Sequence, residues 1–510
     1  MRVLLVHSRY RSATPSGENR VVDQESAELA RAGHEVRRFE KDSDEIEHWS
    51  AARKALLPAR VVWSRESHRE LATTLRAYRP DVVHVHNTFP LVSAAVLYAC
   101  RDASVPVVAT LHNYRLMCAP GDFMRQGAVC HDCMDKLPVR GVVHGCYRGS
   151  RAATAPLVVA NIAHRKAWRS LVSAYAFISA AQRDLHVGLR LPPSRVFVRH
   201  NMVPYRDIRP VPRDPVVAYV GRLEENKGVR LLMTAWDRYL GSSGDPGLRL
   251  VIAGAGSLDR EVAGWAAARP SVDMLGLIPA GQVRELMSRA RAVLAPSVWE
   301  EPFGLVVVEA MAAGTPAIAS GHGSFTELVT PGADGVLFRP GDPDALAGAV
   351  ADVAAHPEKY ESYGRRARES YEQKFNPDNS LKHLLEIYSF AMTYPVWGPS
   401  VVEQMPDHTS LGGLQRCNRI CGAGSPRHRL AGVPRCRCGP WPWRVTTLAS
   451  SDGRSTGWCT TARDTTTPTT WRTATWISSA GSWPRSPGPR SSRSGPGWRN
   501  WTRTRTSEAS

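Results

Sequence analysis

Short strand-like runs of Val, Leu, Ile and Ala, each followed by a polar or glycine-bearing loop and then a helical stretch, leave this chain few folds to choose from. In the first half they fall at residues 2–7, 81–86 and 105–111, and in the second at 216–220, 248–253 and 292–297. Strands alternating with helices predict an α/β fold with parallel sheets. The chain opens as a βαβ unit. A strand at 2–7 leads into the polar loop Ser16-Gly17-Glu18-Asn19, and a helix over about 20–33 stops at Gly33 before a strand at Val36. About 390 residues of this pattern suffice for two domains, each with its own core. The first is expected over 1–200 and the second over 215–375. Residues 201–214, with three prolines, read as the linker.

Chemistry collects at the ends of the second-half strands. Glu301-Pro302-Phe303-Gly304-Leu305-Val306-Val307-Val308-Glu309 sets two carboxylates eight positions apart, one before a small-residue helix and one inside it. Free backbone N–H groups at the helix start, around Gly304, Leu305 and Val306, make a seat for phosphate. The strand at 216–220 runs into Gly221-Arg222-Leu223-Glu224-Glu225-Asn226-Lys227-Gly228. Arg222 and Lys227 therefore lie on a loop at a strand's carboxyl end, where open α/β sheets bind ligands, and two cations there suit a pyrophosphate. Taken singly, these are ordinary surface glutamates and loop cations. Gly254-Ala255-Gly256, after the strand at 248–253, reads mainly as a turn.

Together, Gly221-Arg222 with Lys227-Gly228 and Glu301-Pro302-Phe303-Gly304 with Glu309 resemble the retaining glycosyltransferases of family 4 (glycosyl transferases group 1). The resemblance covers roughly residues 1–390. It implies the GT-B fold: two Rossmann-like domains facing a cleft, with a helix at 376–395 crossing back to the first domain. It implies transfer of a hexosyl unit from a nucleoside diphosphate sugar to an acceptor hydroxyl with retention of configuration. It gives Arg222 and Lys227 to the donor diphosphate, Glu309 to the ribose hydroxyls and Glu301 to the transferred sugar. The backbone of Gly304, Leu305 and Val306 would reach the sugar and phosphates. Family members often carry two glycines in the first loop, near the donor phosphate; here Ser16 takes the place of one and Gly17 remains. His112, closing the strand at 105–111, falls where the family has a histidine that faces the transferred sugar and is needed for transfer. His86-Asn87 and His200-Asn201 match further positions along the cleft. The resemblance implies that catalysis requires no metal or other cofactor. The acceptor is left open among a sugar, a lipid-linked molecule and a small molecule. Two other readings stand beside this one: a glucan synthase or phosphorylase-like enzyme of the same fold, and a nucleic-acid-binding protein acting through its tail.

Four cysteines crowd a loop after His112. Cys130 and Cys133 have the two-residue gap of a zinc knuckle, and Cys118 and Cys146 lie 12 and 13 residues outside it. The segment between them has little apolar periodicity, so a structural tetrathiolate zinc would give it the core it lacks. Reduced thiols or a disulfide pair in a surface loop is the other reading. A subset of the resembling family carries such cysteines.

Residues 401–510 differ in kind. They hold sixteen Arg, no Lys and five acidic residues, with eight of the fifteen Trp and five of the ten Cys. Of the formal charge of +18, +11 lies here. Cys417, Cys421, Cys436 and Cys438 fall in this stretch too. One reading is an arginine-rich arm for nucleic acid or acidic lipid. The other, which excludes a nucleic-acid partner, is a frameshift or read-through product, since Arg without Lys amid Trp, Pro, Gly and Ser is what GC-rich DNA yields in the wrong frame. On either reading the tail is expected to be disordered. No 18-residue apolar run suggests a membrane span, and the first strand is too short for a signal-peptide core. The expected location is the cytoplasm. The modest basic surplus of residues 1–400 permits peripheral contact with the inner membrane face.

Overall fold

Two parallel sheets, each with helices on both sides, carry the chain in the computed structural model, which describes residues 1–12, 16–205, 211–242 and 247–396. The described residues all fall within one compact unit. The Arg/Trp-rich stretch 401–510, with its cysteines, lies outside them.

The first half supplies β1 (Arg2–Arg9), β2 (Glu35–Asp42), β3 (Val82–Asn87) and β4 (Val107–Leu111). A small antiparallel hairpin of β5 (Met124–Arg125) and β6 (Ala128–Val129) follows, then β7 (Ala174–Phe177) and β8 (Val196–Val198). The sheet order is β2-β1-β3-β4-β7-β8, parallel throughout. The second half supplies β9 (Val216–Val220), β10 (Arg249–Ala253), β11 (Val272–Gly276), β12 (Ala292–Ala295), β13 (Ala317–Ser320) and β14 (Gly335–Phe338), in the parallel order β11-β10-β9-β12-β13-β14. β3, β4, β7 and β12 are buried along their whole length. That explains why β4 and β12 read as continuous apolar runs rather than alternating ones.

The strand orders locate the crevices. In the first sheet the chain turns back between β1 and β3, and in the second between β9 and β12. Loops leaving the carboxyl ends of such a pair diverge to opposite faces and leave a gap between them. The loops at these two switch points are those that carry Glu18, Arg222, Lys227, Glu301 and Gly304.

The first helix begins earlier than expected, at Gly17 (Gly17–Arg31), because Ser16 caps it: Asn19 N donates to Ser16 Oγ at 3.2 Å. It ends as expected at Gly33, whose φ of +83° suits glycine. The last helix, Pro377–Thr393, is capped by Asn376 and lays Leu384, Ile387 and Tyr388 against Val3, Leu5 and Val108 of the first sheet. Each such side chain contributes roughly 1.5–3 kcal/mol when fully buried. That burial draws the chain back to the first half after the second is built.

Candidate active site

A cavity of about 1100 Å³ opens between the loops at the two switch points. On the second-sheet side, β9 ends at Gly221-Arg222, and Gly228 (φ +71°) closes the loop. A Cβ at Gly228 would lie 1.8 Å from the Pro296 carbonyl oxygen, so only glycine lets this loop close against the end of β12. Arg222 and Lys227 both line the cavity. Across from them, Gly304 takes φ +88° with the Phe325 ring packed where a Cβ would stand, 2.3 Å away. The helix Leu305–Ala312 starts there, and Gly304, Leu305 and Val306 face the cavity.

The two glutamates differ sharply. Glu301 is buried and receives Lys227 Nζ on both oxygens (2.9 and 2.8 Å), Trp299 Nε1 at 2.9 Å and Ser297 Oγ at 3.0 Å. Burial alone would raise its pKa, but the Lys227 charge and these hydrogen bonds hold it below the usual carboxylate value. Lys227 is lowered by the same burial, against the pull of Glu301. Lys227 thus stands bonded to a carboxylate rather than free for a diphosphate. Glu309, deeper on the helix, is ion-paired with Arg20 of the first helix across the cavity, rather than pointing alone at a ribose. Burial raises its pKa and Arg20 opposes the shift. Gly17 faces the same helix: a Cβ there would meet Leu305 Cδ1 at 3.1 Å.

On the first-sheet side, His112 follows β4 and lines the cavity. Its Nε2 lies 3.0 Å from His86 Nδ1, and His86 Nε2 lies 3.3 Å from Glu25 Oε1. Glu25, fully buried on the first helix, also meets His84 Nδ1 at 2.9 Å and receives Arg199 at 2.5 Å. His84 reaches Tyr388 of the crossing helix at 2.8 Å and Thr110 at 2.7 Å. Burial, then the neighbouring His86, depresses the His112 pKa well below its ordinary value. The ring is neutral at pH 7. Among the described residues, Glu25, His84 and His86 are the one trio of ligand-type groups close enough to share a metal ion. The guanidinium on Glu25 supplies the positive charge there instead, which argues for a structural charge cluster.

The sequence alone did not single out Glu18. Its Oε2 receives Asn113 Nδ2 at 3.2 Å and Tyr10 OH at 3.4 Å, while Oε1 is buried without a partner among the described residues. Burial pushes its pKa up to about 7, against Arg115 and the Asn113 bond. All four residues line the cavity beside His112. The signal was present, since Glu18 follows a strand end and begins a helix, but it was read only as loop polarity. His86 lies behind His112. His200 turns to Glu327 (2.6 Å), and of that pair Asn201 lines the cavity.

Cys118, Cys130, Cys133 and Cys146 are free thiols on the loop after β4. Among the described residues no three of their sulfurs approach within 4.8 Å of one another, so four do not converge on one point. Cys118 is buried, its thiol pushed up to about 12 by burial, while Cys130, Cys133 and Cys146 are half-buried. The loop is held by Phe123 packed on Tyr114 (4.5 Å between centroids) and by Asp132 between Arg125 (3.2 Å) and Arg140 (3.6 Å).

Known proteins share this architecture. The family described as glycosyltransferase family 4 matches residues 15–206, and that described as glycosyl transferases group 1 matches residues 206–370. The two run end to end through both sheets. The chain belongs to the GT-B glycosyltransferases. It is 28% identical over 426 residues to a glycogen synthase of Mycobacterium tuberculosis, covering 76% of this chain and 94% of that protein. It is 33% identical over 189 residues to the alpha-maltose-1-phosphate synthase of Mycolicibacterium smegmatis, covering 34% of this chain and 47% of that one. An uncharacterized glycosyltransferase of Methanocaldococcus jannaschii is 31% identical over 182 residues, 35% of this chain and 46% of its own. The chain thus spans about half the length of these last two relatives. Among solved structures, sucrose-phosphate synthase from Thermosynechococcus elongatus superposes with a TM-score of 0.56 at 21% identity, over 76% of this chain and 98% of that one. Anabaena HepE, solved in complex with UDP-glucose, gives 0.54 at 19%, over 76% and 99%. At those identities the likeness speaks for the fold. No helix among the described residues of this glycosyltransferase is long and apolar enough to cross a membrane.

Proposed function

We propose that this glycosyltransferase moves a hexosyl unit from a nucleoside diphosphate sugar to an acceptor hydroxyl with retention of configuration. The observation that carries the reading is the wall on which Arg222, Lys227 and the start of the helix at Leu305 converge, facing His112 over one cavity. Breakage of the anomeric C–O bond leaves its electron pair on the diphosphate. Two cations and free helix N–H groups are suited to that growing charge. Lys227 would turn from Glu301 toward the diphosphate, releasing the Glu301 carboxylate to accept from sugar hydroxyls. Glu309, with Arg20, stands where a ribose would lie. The acceptor oxygen bonds to the anomeric carbon on the face the diphosphate leaves, and its proton passes to the departing phosphate oxygen. The proposal assigns no step to a metal. Glu18, Asn113 and Arg115 form the polar wall on the first-sheet side and are assigned to the acceptor.

HepE's complexes with UDP and UDP-glucose support a nucleotide-sugar donor. A panel of UDP-, GDP-, ADP- and dTDP-sugars, screened for protection against thermal unfolding, tests it. A matching donor should raise the melting temperature by mass action, and no shift with any of them would overturn the reading. The long match to a glycogen synthase favours one second reading, elongation of a glucan. A glucan primer that accepts sugar from the protecting donor would support it. Product formation only from glucan and inorganic phosphate would instead mark a phosphorylase.

A further inference from the structure

Beside the cleft, the first half carries a surface of unusual composition. Residues 51–63 hold three Lys or Arg and residues 137–171 hold six, and neither stretch has an Asp or Glu. The fold brings them together. The helices Leu57–Val62 and Val139–His144 both pack on the helix Arg151–Ala163, around Val61, Val142, Leu157 and Val158. Helical geometry turns the opposite faces outward. Those faces leave Leu56, Val139, Val143, Val159 and Ile162 at 59, 51, 59, 50 and 38% exposure. Single exposed aliphatics are ordinary. Five on adjoining helices, interleaved with charge of one sign, are not.

Arg53 and Arg60 are paired with Glu66, and Arg140 lies 3.6 Å from Asp132. Among the described residues Lys54, Arg148, Arg151, Lys166 and Arg169 have no carboxylate partner. The surface also adjoins the cleft, since Lys54, Leu57, Tyr147 and Arg148 line the cavity as well.

We propose that this face docks the protein on an anionic lipid bilayer. Aliphatic side chains on an amphipathic surface gain by entering the headgroup boundary, and Lys and Arg around them meet lipid phosphates. Long basic side chains can do both at once. A nucleic acid would engage the cations but leave the aliphatic residues in water, because they offer no ring for a base to stack on. A second copy of the chain would set like charges against each other. The docked face brings the cleft mouth to the membrane, so the acceptor it suits is one displayed from a lipid.

Docking does not depend on the donor reading, and the test keeps them apart. The full chain is sedimented with vesicles of phosphatidylcholine alone, and of phosphatidylcholine with phosphatidylglycerol. Binding should be at least tenfold tighter to the anionic vesicles. Lys166→Glu with Arg169→Glu should weaken it at least tenfold. Val159→Asn with Ile162→Asn should weaken it severalfold even in salt that screens the charges. Arg260→Glu with Arg365→Glu makes the same change in charge on exposed positions of the second half and should alter binding less than twofold. The basic residues 401–510 are common to every variant. Equal losses from the two charge pairs would overturn the proposal, as would undiminished vesicle binding by the face variants. So would loss of RNA binding in those variants with vesicle binding intact. Each variant should keep the wild-type melting temperature and its shift with donor, so a failure of docking leaves the nucleotide reading standing.

Discussion

Lys227 has two demands on it, and substitution separates them. Arg222 has no carboxylate partner among the described residues, so Arg222→Ala should leave the melting temperature unchanged. It should weaken nucleoside diphosphate binding about ten- to a hundredfold, the worth of a charge-assisted contact of roughly 1.5–3 kcal/mol. Lys227→Ala should weaken binding as much and also cost about 3–5 kcal/mol of stability, because it strands the buried Glu301 carboxylate. Adding Glu301→Gln to Lys227→Met should restore stability but not binding. Calorimetry and thermal melts would decide, and wild-type affinity in either single variant would sink the diphosphate assignment. The glutamates should also part company. Glu309→Ala should weaken binding of the bare nucleoside diphosphate, whereas Glu301→Gln should spare it and lower transfer. Identical behaviour toward the bare diphosphate would refute the division. How legible each residue was follows from distance along the chain. Ser297 and Trp299 bond Glu301 from four and two positions away, within reach of a local reading. Lys227 is 74 positions from Glu301; the sequence set it on a ligand-binding loop, but no local pattern joined it to that carboxylate. Arg20 is 289 positions from Glu309, and no local pattern joins them. Glu25 escaped notice because a charged residue on a helix is taken to be solvated.

The loop after β4 shows how little spacing alone decides. Two-residue and near-symmetric cysteine spacings are a local signal, but they fix only chain distance, not where the sulfurs point. The folded loop sends Cys118 into the first-half core and leaves Cys130, Cys133 and Cys146 half-buried. Its order comes from Phe123 against Tyr114, the β5–β6 hairpin and the Asp132 ion pairs. On that packing alone a chelator should leave proteolysis between Met117 and Arg148 unchanged, and faster cleavage would support the tetrathiolate zinc. Strands fared better for a physical reason. Those of both sheets that were read from the sequence are buried on both faces or nearly so, and their apolar runs are short enough to exclude a buried helix. β2, with mostly polar and half-exposed residues, gave a weaker trace, and β7, β8, β11, β13 and β14 gave none that was read. The crossing helix depended on the resemblance for its destination, since its apolar stripe names no partner. Its Tyr388 bond to His84 links it to the cluster behind His112.

Across the molecule, titration should be governed by the buried histidines of the first half. His7, His86 and His186 are each lowered to about 4, first by burial, and His112 is lowered well below its ordinary value. In the unfolded chain they titrate near 6.5. Between pH 6.5 and 4 the unfolded chain therefore binds more protons, and stability falls as pH is lowered through that window. Glu25 adds to the loss at the acid end, because burial is outweighed there by Arg199, His84 and His86, which hold it well below a free carboxylate. Glu18 acts in the opposite sense: its pKa of about 7 is raised from 4.5, so its contribution is complete at low pH and is lost as pH rises toward 7. Glu309 is raised too and shares that sense. Three histidines shifted by comparable amounts, joined by His112, outweigh Glu18 and Glu309. The melting temperature should fall by several degrees between pH 7 and pH 5. Substituting His186, which bonds the Gln182 carbonyl and stacks on Tyr114 away from the cavity, should flatten that slope without altering donor binding. A melting temperature constant from pH 7 to 5 would show that burial does not hold His7, His86, His112 and His186 neutral in solution.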